Sequence, residues 1–145
     1  MVMEAVNVKT IDQIKVGDTA CYAKTVTEAD VMMFAQLSGD FAPQHVSKAF
    51  GETTMFHSRI AHGMLSAGFI SNVLGMKLPG PGTIYLSQEL KFTKPVYIND
   101  TVTATATVVE KIEEKNRLVL ETICTNQKGD VVIKGKAVVM PPAAE

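Results

Sequence analysis

The sequence predicts an α+β protein in which one long apolar helix packs against a curved antiparallel sheet. Two segments in the first half of the chain carry apolar residues at helical spacing, whereas four runs in the second half alternate in the manner of strands. The sequence PGPG stands between these halves and ends the second helix. Helices followed by consecutive strands favour an antiparallel sheet with its helix packed on one face.

Length and composition indicate one globular domain. Of the 145 residues, 46% are hydrophobic and 20% are charged, and a chain of this length buries roughly two-thirds of its unfolded surface. We therefore expect a single domain over residues 1–145, with a core from about 14 to 140 and a loose tail at 141–145.

Charge and motif content argue against several classes of protein. The formal charge is −1 without a run of Lys or Arg, so the chain lacks the positive field that attracts nucleic acids. Residues 1–18 have neither the basic start nor the apolar centre of a secretory signal, and no apolar stretch is long enough to cross a membrane. Cys21 and Cys124 lie in different predicted strands without metal or redox spacing, which favours two reduced packing thiols. We expect a cytoplasmic protein.

The first predicted helix begins after Thr27 and ends at Gly39. Thr27 can cap the helix, with Asp30 three residues later as the acidic member of a capping box. Apolar residues recur at helical spacing from 28 to 37, and the glycine stops the pattern. An alternating stretch before Thr27 predicts a strand.

The second predicted helix runs from His62 to Leu78. Residues 46–61, which precede it, carry turn signals and no sustained period, and this favours a short helical turn followed by an irregular crossing. The helix itself has apolar residues on nearly every side. We therefore expect it to be buried, with the sheet wrapped around it.

The remaining chain predicts strands joined by short turns. Four runs alternate between apolar and polar residues or are rich in threonine and valine, and they cover 83–100, 101–114, 117–130 and 131–141. Turn signals separate these runs at Asn99–Asp100, Lys115–Asn116 and Lys128–Asp130. Such short links are typical of an antiparallel meander.

The segment SGDFAPQHVSKAF, residues 38–50, is the candidate for chemistry. It places an acid and an imidazole five positions apart, Asp40 and His45, in a stretch interrupted by glycine and proline. On spacing alone the pair could be ordinary turn chemistry. Its context is more specific, because His62–Gly63 open the apolar helix, where free backbone N–H groups and the positive end of the helix dipole lie.

These groups match the needs of a carbonyl reaction that proceeds without a covalent intermediate. A carboxylate and an imidazole can hold and deprotonate water, and a helix N-terminal N–H can stabilise charge on a carbonyl oxygen. The sequence has no GxSxG serine, no cysteine with a neighbouring histidine and no metal-ligand spacing such as HExxH. The residues therefore favour addition of water to an activated carbonyl compound, or its removal, and they predict no metal.

Three motifs carry a resemblance to a known family. SGDFAPQHVSKAF, RIAHGMLSAGFIS and GTIYLSQELKFTKPVYINDTVTA, in this order and spacing, closely resemble the MaoC-like hydratase/dehydratase family, and within it the short (R)-specific enoyl-CoA hydratases. The resemblance runs from about Ile14 to Val139. It implies a hot-dog fold, in which strands wrap a long central helix. It also implies a homodimer with the two sheets joined edge to edge and the active site near the interface.

The resemblance also implies a role for each motif residue. Asp40 would be the catalytic base and His45 its partner, together holding the water that adds to C3 of a trans-2-enoyl-CoA while a proton reaches C2. The backbone N–H of Gly63 would bind the thioester oxygen as negative charge develops on it. The product would be an (R)-3-hydroxyacyl-CoA. Coenzyme A would enter as part of the acyl-CoA substrate, so no cofactor is expected.

Candidate substrate-binding positions are Ala42, His62, Met64 and Gly68. The resemblance implies an asparagine in place of Ala42 and a serine in place of Gly68, and nearby serines project in other directions on a helix. His62 could instead only start the helix, with its ring packed or capping. Met64 could fill a core gap or form a soft wall for a flexible acyl chain.

Other functions remain open at this point. The chain could be a dehydratase of 3-hydroxyacyl-carrier-protein or branched hydroxyacyl-CoA substrates, or a thioesterase of the same fold. Because Ala42 replaces a polar residue, the chain could also bind acyl-CoA without converting it. Arg59, Lys91 and Lys94 could contact the phosphates of coenzyme A or remain solvated.

Overall fold

The computed structural model describes residues 8–143. The first seven residues of the stretch considered for a secretory signal and the last two of the predicted tail lie outside this range. In chain order the elements are β1 (Thr19–Thr25), α1 (Glu28–Ser38), α2 (Pro43–Val46), α3 (Lys48–Thr53), α4 (Gly63–Met76), β2 (Ile84–Gln88), β3 (Lys91–Phe92), β4 (Thr101–Ile112), β5 (Arg117–Thr125) and β6 (Val131–Met140).

One antiparallel sheet carries the strands in the order β1-β4-β5-β6-β2, with β3 also paired to β6. Strands β4, β5 and β6 form the expected meander, and the turn before β5 uses Asn116 in the left-handed conformation at φ 52°. Inward-facing residues of β4 alternate with partly exposed ones, as a half-buried strand requires. The central sheet therefore follows its sequence pattern closely.

Residues 83–100 contain strands as predicted, but their expected place in the meander was wrong. This run forms two short strands at the far edge of the sheet, beside β6, and does not form a hairpin with β4. Beyond β3 the chain leaves the sheet, because Pro95 has no N–H for a ladder and Asn99 adopts a left-handed φ of 77°. The Asp100 carboxylate accepts a hydrogen bond from the Tyr97 N–H at 2.9 Å and closes this turn.

Helix α4 lies against the sheet, as the hot-dog fold requires, and contacts β4, β1 and β5. Its inner face consists of Leu65, Ser66, Ile70, Val73 and Leu74. The expectation that the whole helix is buried was wrong for the single chain. Met64 and Met76 are 55% and 67% exposed, because a sheet covers only the face packed on it. An apolar outer face therefore remains uncovered.

The predicted capping signals of α1 are confirmed. The Thr27 side chain accepts a hydrogen bond from the Asp30 N–H at 3.1 Å, and the Asp30 carboxylate accepts one from the Thr27 N–H at 2.9 Å. Gly39 ends the helix in the left-handed conformation at φ 76°. A hydrogen bond from Lys24 and then the one from the Thr27 backbone hold the pKa of Asp30 below its usual value.

Two smaller expectations need correction. The tail is not loose at its start, because Pro141 is buried and its carbonyl accepts a hydrogen bond from Asn116 Nδ2 at 2.8 Å. Cys21 is exposed rather than packed, whereas Cys124 is buried, and burial raises the pKa of its thiol to about 12.

Among residues 8–143, no helix has the length and apolarity needed to cross a membrane.

Candidate active site

Residues 39–62, here called the connector, bring the predicted acid and imidazole together. After Gly39, the Asp40 carboxylate turns back and accepts a hydrogen bond from the Ala42 N–H at 3.1 Å. Pro43 then occupies the first turn of α2, where its missing N–H is tolerated. This short helix carries His45 from the exposed Asp40 towards the interior.

The ring of His45 is oriented by a hydrogen bond at Nδ1, and a second hydrogen bond ties its backbone carbonyl to Arg59. The His45 ring is 8% exposed, and Nδ1 lies 2.7 Å from the Ile60 carbonyl oxygen. Because a carbonyl only accepts, the neutral ring carries its proton on Nδ1, which leaves Nε2 as an acceptor. Arg59 Nε donates to the His45 carbonyl at 2.8 Å, and its guanidinium pairs with Glu28 at 2.6 Å. The connector is thereby tied to α1.

His62 links the two candidate catalytic residues. It is 2% exposed, and its Nε2 lies 2.8 Å from the backbone carbonyl oxygen of Asp40. Its ring stacks on that of His45, with centroids 3.9 Å apart and an angle of 28° between planes, and Phe34 lies on it at 4.7 Å. His62 Nδ1 is buried without a hydrogen-bond partner among the described residues. The His62 ring therefore contacts both the Asp40 backbone and the His45 ring.

Donor atoms of three residues converge at this point. One carboxylate oxygen of Asp40 and one ring nitrogen each of His45 and His62 lie within 4.8 Å of one another. Carboxylate and imidazole could also ligate a divalent cation. Of the two His45 nitrogens, Nδ1 is already engaged with Ile60, so Nε2 and the carboxylate are the groups available to a small reactant. Such a pair can hold one water molecule and remove its proton.

Gly63 begins α4 beside this pair. Its N–H makes no hydrogen bond to any residue of the 8–143 range, as expected for the first residue of a helix. A Cβ at this position would lie 2.6 Å from ring atoms of Phe92. A side chain at this position would therefore require the exposed Phe92 ring to shift, and glycine avoids this contact.

A cavity of about 440 Å³ joins His45 to Gly63. Its other lining residues are mostly apolar: Phe56, Ile60, Ala61, Met64, Ser66, Phe92, Thr93, Lys94, Pro95, Val96, Val132 and Ile133. Asp40 is exposed and does not line it. An open, mainly apolar cavity lined by an imidazole and by the first residue of a helix suits a small acyl group.

The structure therefore brings some predicted site residues together and leaves others apart. Asp40, Ala42, His45, His62 and Gly63 form one cluster. Met64 lines the cavity from its exposed position, but Gly68 lies in a second groove of about 360 Å³ on the outer face of α4, next to β2. A Cβ at Gly68 would meet no atom within 4 Å.

Sequence reasoning set Ser66 aside, did not single out Phe92, and left the role of three cations open. Ser66 and Phe92 both line the cavity. The signal for Ser66 was its place three residues after Gly63, on the same helix face. Of the three cations, Arg59 is engaged with α1, Lys94 lies at the cavity and 3.4 Å from Asp130, and Lys91 is exposed in β3.

Comparison with known proteins finds relatives of similar sequence and fold. The MaoC-like domain family matches residues 6–128. An (R)-specific enoyl-CoA hydratase from Rhodospirillum rubrum is 55% identical over 91% of this chain and 91% of its own length. A 3-hydroxybutyryl-CoA dehydratase from Methylorubrum extorquens is 44% identical over 92% of this chain and 85% of its own. The solved structure of an (R)-hydratase from A. caviae involved in PHA biosynthesis superposes with a TM-score of 0.87 at 43% identity, covering 89% of this chain and 98% of that one.

Proposed function

Because the chain belongs to the family of MaoC-like domains, we propose that it is an (R)-specific enoyl-CoA hydratase. The reaction is the reversible addition of water to a trans-2-enoyl-CoA, which gives an (R)-3-hydroxyacyl-CoA. The observation that carries the proposal is the convergence of the Asp40 carboxylate and the His45 imidazole within 4.8 Å, beside a cavity lined by His45 and Gly63.

Asp40 and His45 activate the water. One water molecule bound between the pair donates one proton towards the carboxylate and the other towards His45 Nε2, which is an acceptor because Nδ1 is engaged with Ile60. The water oxygen then bonds to C3, one of its protons passes to Asp40, and Asp40 delivers a proton to C2. The atoms of one water are added and the two residues return to their starting protonation.

Gly63 stabilises the charge that this addition creates. As the C3–O bond forms, negative charge moves to the thioester oxygen in an enolate-like transition state. A free helix N-terminal N–H donates to that oxygen, and the helix dipole favours the charge. Removing one such donor typically reduces kcat by about 10²–10³-fold. The missing Cβ at Gly63 makes room for the Phe92 ring.

These groups complete the chemistry without a metal or a cofactor. Polarisation of the thioester comes from the N–H of Gly63, and proton transfer from Asp40 and His45. Dialysis of the protein against EDTA should therefore leave kcat unchanged. A loss of activity that Zn²⁺ or another divalent ion restores would assign the Asp40–His45–His62 cluster to a metal instead.

The substrate carrier is coenzyme A, and the protein works as a homodimer in the cytoplasm. Strand β2 has no strand partner on its outer edge within the described chain, and Ile84, Tyr85 and Leu86 are 51%, 40% and 43% exposed. An apolar edge of this kind pairs readily with a second copy, which would also cover the outer face of α4. Light scattering should give twice the chain mass of 15.7 kDa, and Leu86→Lys should shift the protein towards the monomer.

Loss of enoyl absorbance on incubation with crotonyl-CoA tests the function directly, with chiral analysis of the product for stereochemistry. No change with enoyl-CoA chains of several lengths would refute the proposal. Release of free thiol would indicate a thioesterase, and turnover of carrier-protein substrates only would indicate a carrier-protein dehydratase. Binding of acyl-CoA without turnover would indicate a non-catalytic protein.

A further inference from the structure

The short helix α2, which carries His45, is held in place by residues outside the helix. It spans only Pro43–Val46, and a helix of one turn is not stable by itself in water. Its last carbonyls therefore need partners from elsewhere in the chain. The Gln44 carbonyl accepts a hydrogen bond from the Ile60 N–H at 3.2 Å, and the His45 carbonyl accepts one from Arg59 Nε at 2.8 Å. Residues 59 and 60 thus determine where α2 lies.

The Arg59 side chain bridges α2 and α1. It is 12% exposed, whereas the side chain of its ion-pair partner Glu28 is 67% exposed. One guanidinium nitrogen lies 2.6 Å from the Glu28 carboxylate, and the other lies 4.0 Å from the sulfur of Met32, one turn further along α1. A guanidinium can serve both helices at once because its donors are held in a rigid planar fork.

Stability alone is a poor reason to bury this guanidinium. Removing a cation from water is costly, and an ion pair with an exposed carboxylate such as Glu28 contributes little to stability. Arg59 does not line the cavity either, so it makes no contact with an acyl group bound there. Its hydrogen bond to the His45 carbonyl is the contact that bears on the site.

His45 is bonded to two consecutive residues, through its backbone and through its ring. Its carbonyl accepts from Arg59, and its Nδ1 lies 2.7 Å from the Ile60 carbonyl oxygen. Helix α3 packs closely against the same stretch, because a Cβ on Gly51 would lie 2.7 Å from the backbone nitrogen of Arg59. With backbone and ring both held, the unbonded Nε2 of His45 keeps one position relative to the Asp40 carboxylate.

Resting on the proposed function, we propose that Arg59 is a positioning residue for the hydration of enoyl-CoA. Its guanidinium holds the His45 carbonyl and thereby keeps His45 Nε2 where it can accept a hydrogen bond from the water that Asp40 also binds. Without this bond, the link from α2 through Arg59 to α1 is lost. The water is then held less accurately for attack on C3, which lowers kcat, while binding of the acyl-CoA is retained.

Arg59→Met tests this, because it keeps an unbranched side chain and removes the donors. We expect kcat for crotonyl-CoA to fall about 10–100-fold, since a misplacement of about 1 Å can cost about 10²-fold. The KM should stay within about threefold of wild type. Arg59→Lys retains a donor without the planar fork, so it should recover part of the lost kcat. A kcat within about twofold of wild type in Arg59→Met, or no recovery in Arg59→Lys, would overturn the proposal.

Crotonyl-pantetheine separates positioning from a contact with the substrate carrier. This thioester lacks the phosphates of coenzyme A, which an arginine could bind. A positioning residue should give the same loss of kcat with crotonyl-pantetheine as with crotonyl-CoA. A loss seen only with crotonyl-CoA, and expressed in KM, would overturn the proposal and assign Arg59 to phosphate binding.

Arg117→Met is the matched control. Arg117 also donates to backbone carbonyls, those of Lys115 at 2.7 Å and Asn116 at 3.2 Å, but it begins β5 and does not line the cavity. Its removal should leave kcat unchanged, and the Tm of each variant establishes that it is folded in the assay. A loss of kcat in Arg117→Met as large as that in Arg59→Met would make the effect a general one and contradict the proposal.

The ¹⁵N NMR spectrum of the His45 ring separates this proposal from the hydratase assignment, because it requires no substrate. In the wild type the neutral ring should be a single Nδ1–H tautomer, since Nδ1 donates to the Ile60 carbonyl. Arg59→Met should add the Nε2–H tautomer as α2 shifts, and Arg117→Met should not. The signals of His45 are identified by their absence from the spectrum of His45→Gln.

The spectrum and the kinetics together give distinct outcomes. If no enoyl-CoA is hydrated but the His45 tautomers change in Arg59→Met, the function is wrong and the placement of His45 by Arg59 stands. If hydration proceeds and neither kcat nor the spectrum changes, the role of Arg59 is wrong. A lower kcat with an unchanged His45 spectrum would also overturn the proposal, because Arg59 would then act through another group.

Discussion

The connector and the central sheet are built on different principles. Strands β4, β5 and β6 are held by ladder hydrogen bonds and by alternating aliphatic side chains, several of them fully buried. The connector has two short helices and is held by individual bonds from His45, Arg59 and His62 to backbone carbonyls. The sheet distributes its stability over many similar contacts, whereas the connector places a few groups accurately. Changes in the sheet should therefore act on stability, and changes in the connector on catalysis.

The largest effect that would sharpen this contrast is the loss of the carboxylate. Asp40→Asn should reduce kcat by roughly 10³-fold, because a general base contributes about 10²–10⁴-fold. Asp40 is exposed, and the amide oxygen of the variant can still accept from the Ala42 N–H, so the free energy of unfolding should change by less than about 0.5 kcal/mol. Steady-state kinetics with crotonyl-CoA and urea unfolding measure the two quantities. Full activity of the Asp40→Asn protein would remove Asp40 from the mechanism.

A substitution in the sheet should have the opposite pattern, with a large effect on stability and a small one on kcat. Leu120 in β5 is 0% exposed, and Leu120→Ala should lower the free energy of unfolding by about 2–5 kcal/mol through lost burial and the remaining cavity. Urea unfolding measures it. At a temperature where the variant remains folded, kcat should stay within about threefold of wild type, since no site residue is displaced. A collapse of kcat in the folded variant would show that the two regions are coupled.

These regions also differ in how much of them the sequence predicts. Alternation of valine and threonine identifies β4 because burial there follows from position in the strand, and the capping box of α1 is local chemistry between Thr27 and Asp30. The sheet order could not be derived, because nothing local in residues 83–100 states which strand they pair with. The site was found as a pair, Asp40 and His45, because their types suit the chemistry. The link through His62 depends on tertiary contacts that no spacing encodes.

An intermediate effect should come from His62, which touches both candidate catalytic residues without lining the cavity. His62→Phe keeps an aromatic ring on His45 and loses the donor to the Asp40 carbonyl, whereas His62→Gln can retain an N–H donor and loses the ring. Misplacing a reacting group by about 1 Å can cost about 10²-fold, so we expect His62→Phe to lower kcat by about 10–100-fold with little change in KM.

The His62→Gln variant and the pH dependence of kcat show whether His62 positions the catalytic residues or only packs against them. If the hydrogen bond positions Asp40, His62→Gln should recover part of the kcat lost in His62→Phe. If the stacked ring matters through His45, the acidic limb of the kcat profile should shift in His62→Gln but not in His62→Phe. Equal losses in both variants, with unchanged pH profiles, would reduce His62 to a packing residue.

The smallest expected effects lie where the two regions meet, at the start of α1. Thr27→Ala removes the cap and should lower the free energy of unfolding by about 1 kcal/mol, which urea unfolding measures. The kcat should be unchanged, because α1 keeps its contacts to the connector. A loss of kcat in the folded variant would mean that the cap also positions the site.

Asp30→Asn removes the charge partner of Lys24 from the same cap. Since the pKa of Asp30 is lowered in the folded protein from its usual value of 3.8, its stabilisation is present above that value and is lost as the pH falls through the folded pKa. The stability difference between wild type and Asp30→Asn should therefore be constant near neutral pH and shrink below about pH 4. Glu52→Gln, at an exposed carboxylate without an ion pair among the described residues, should show no such dependence. A difference that persists at low pH would assign the effect to the hydrogen bonds of the cap rather than to its charge.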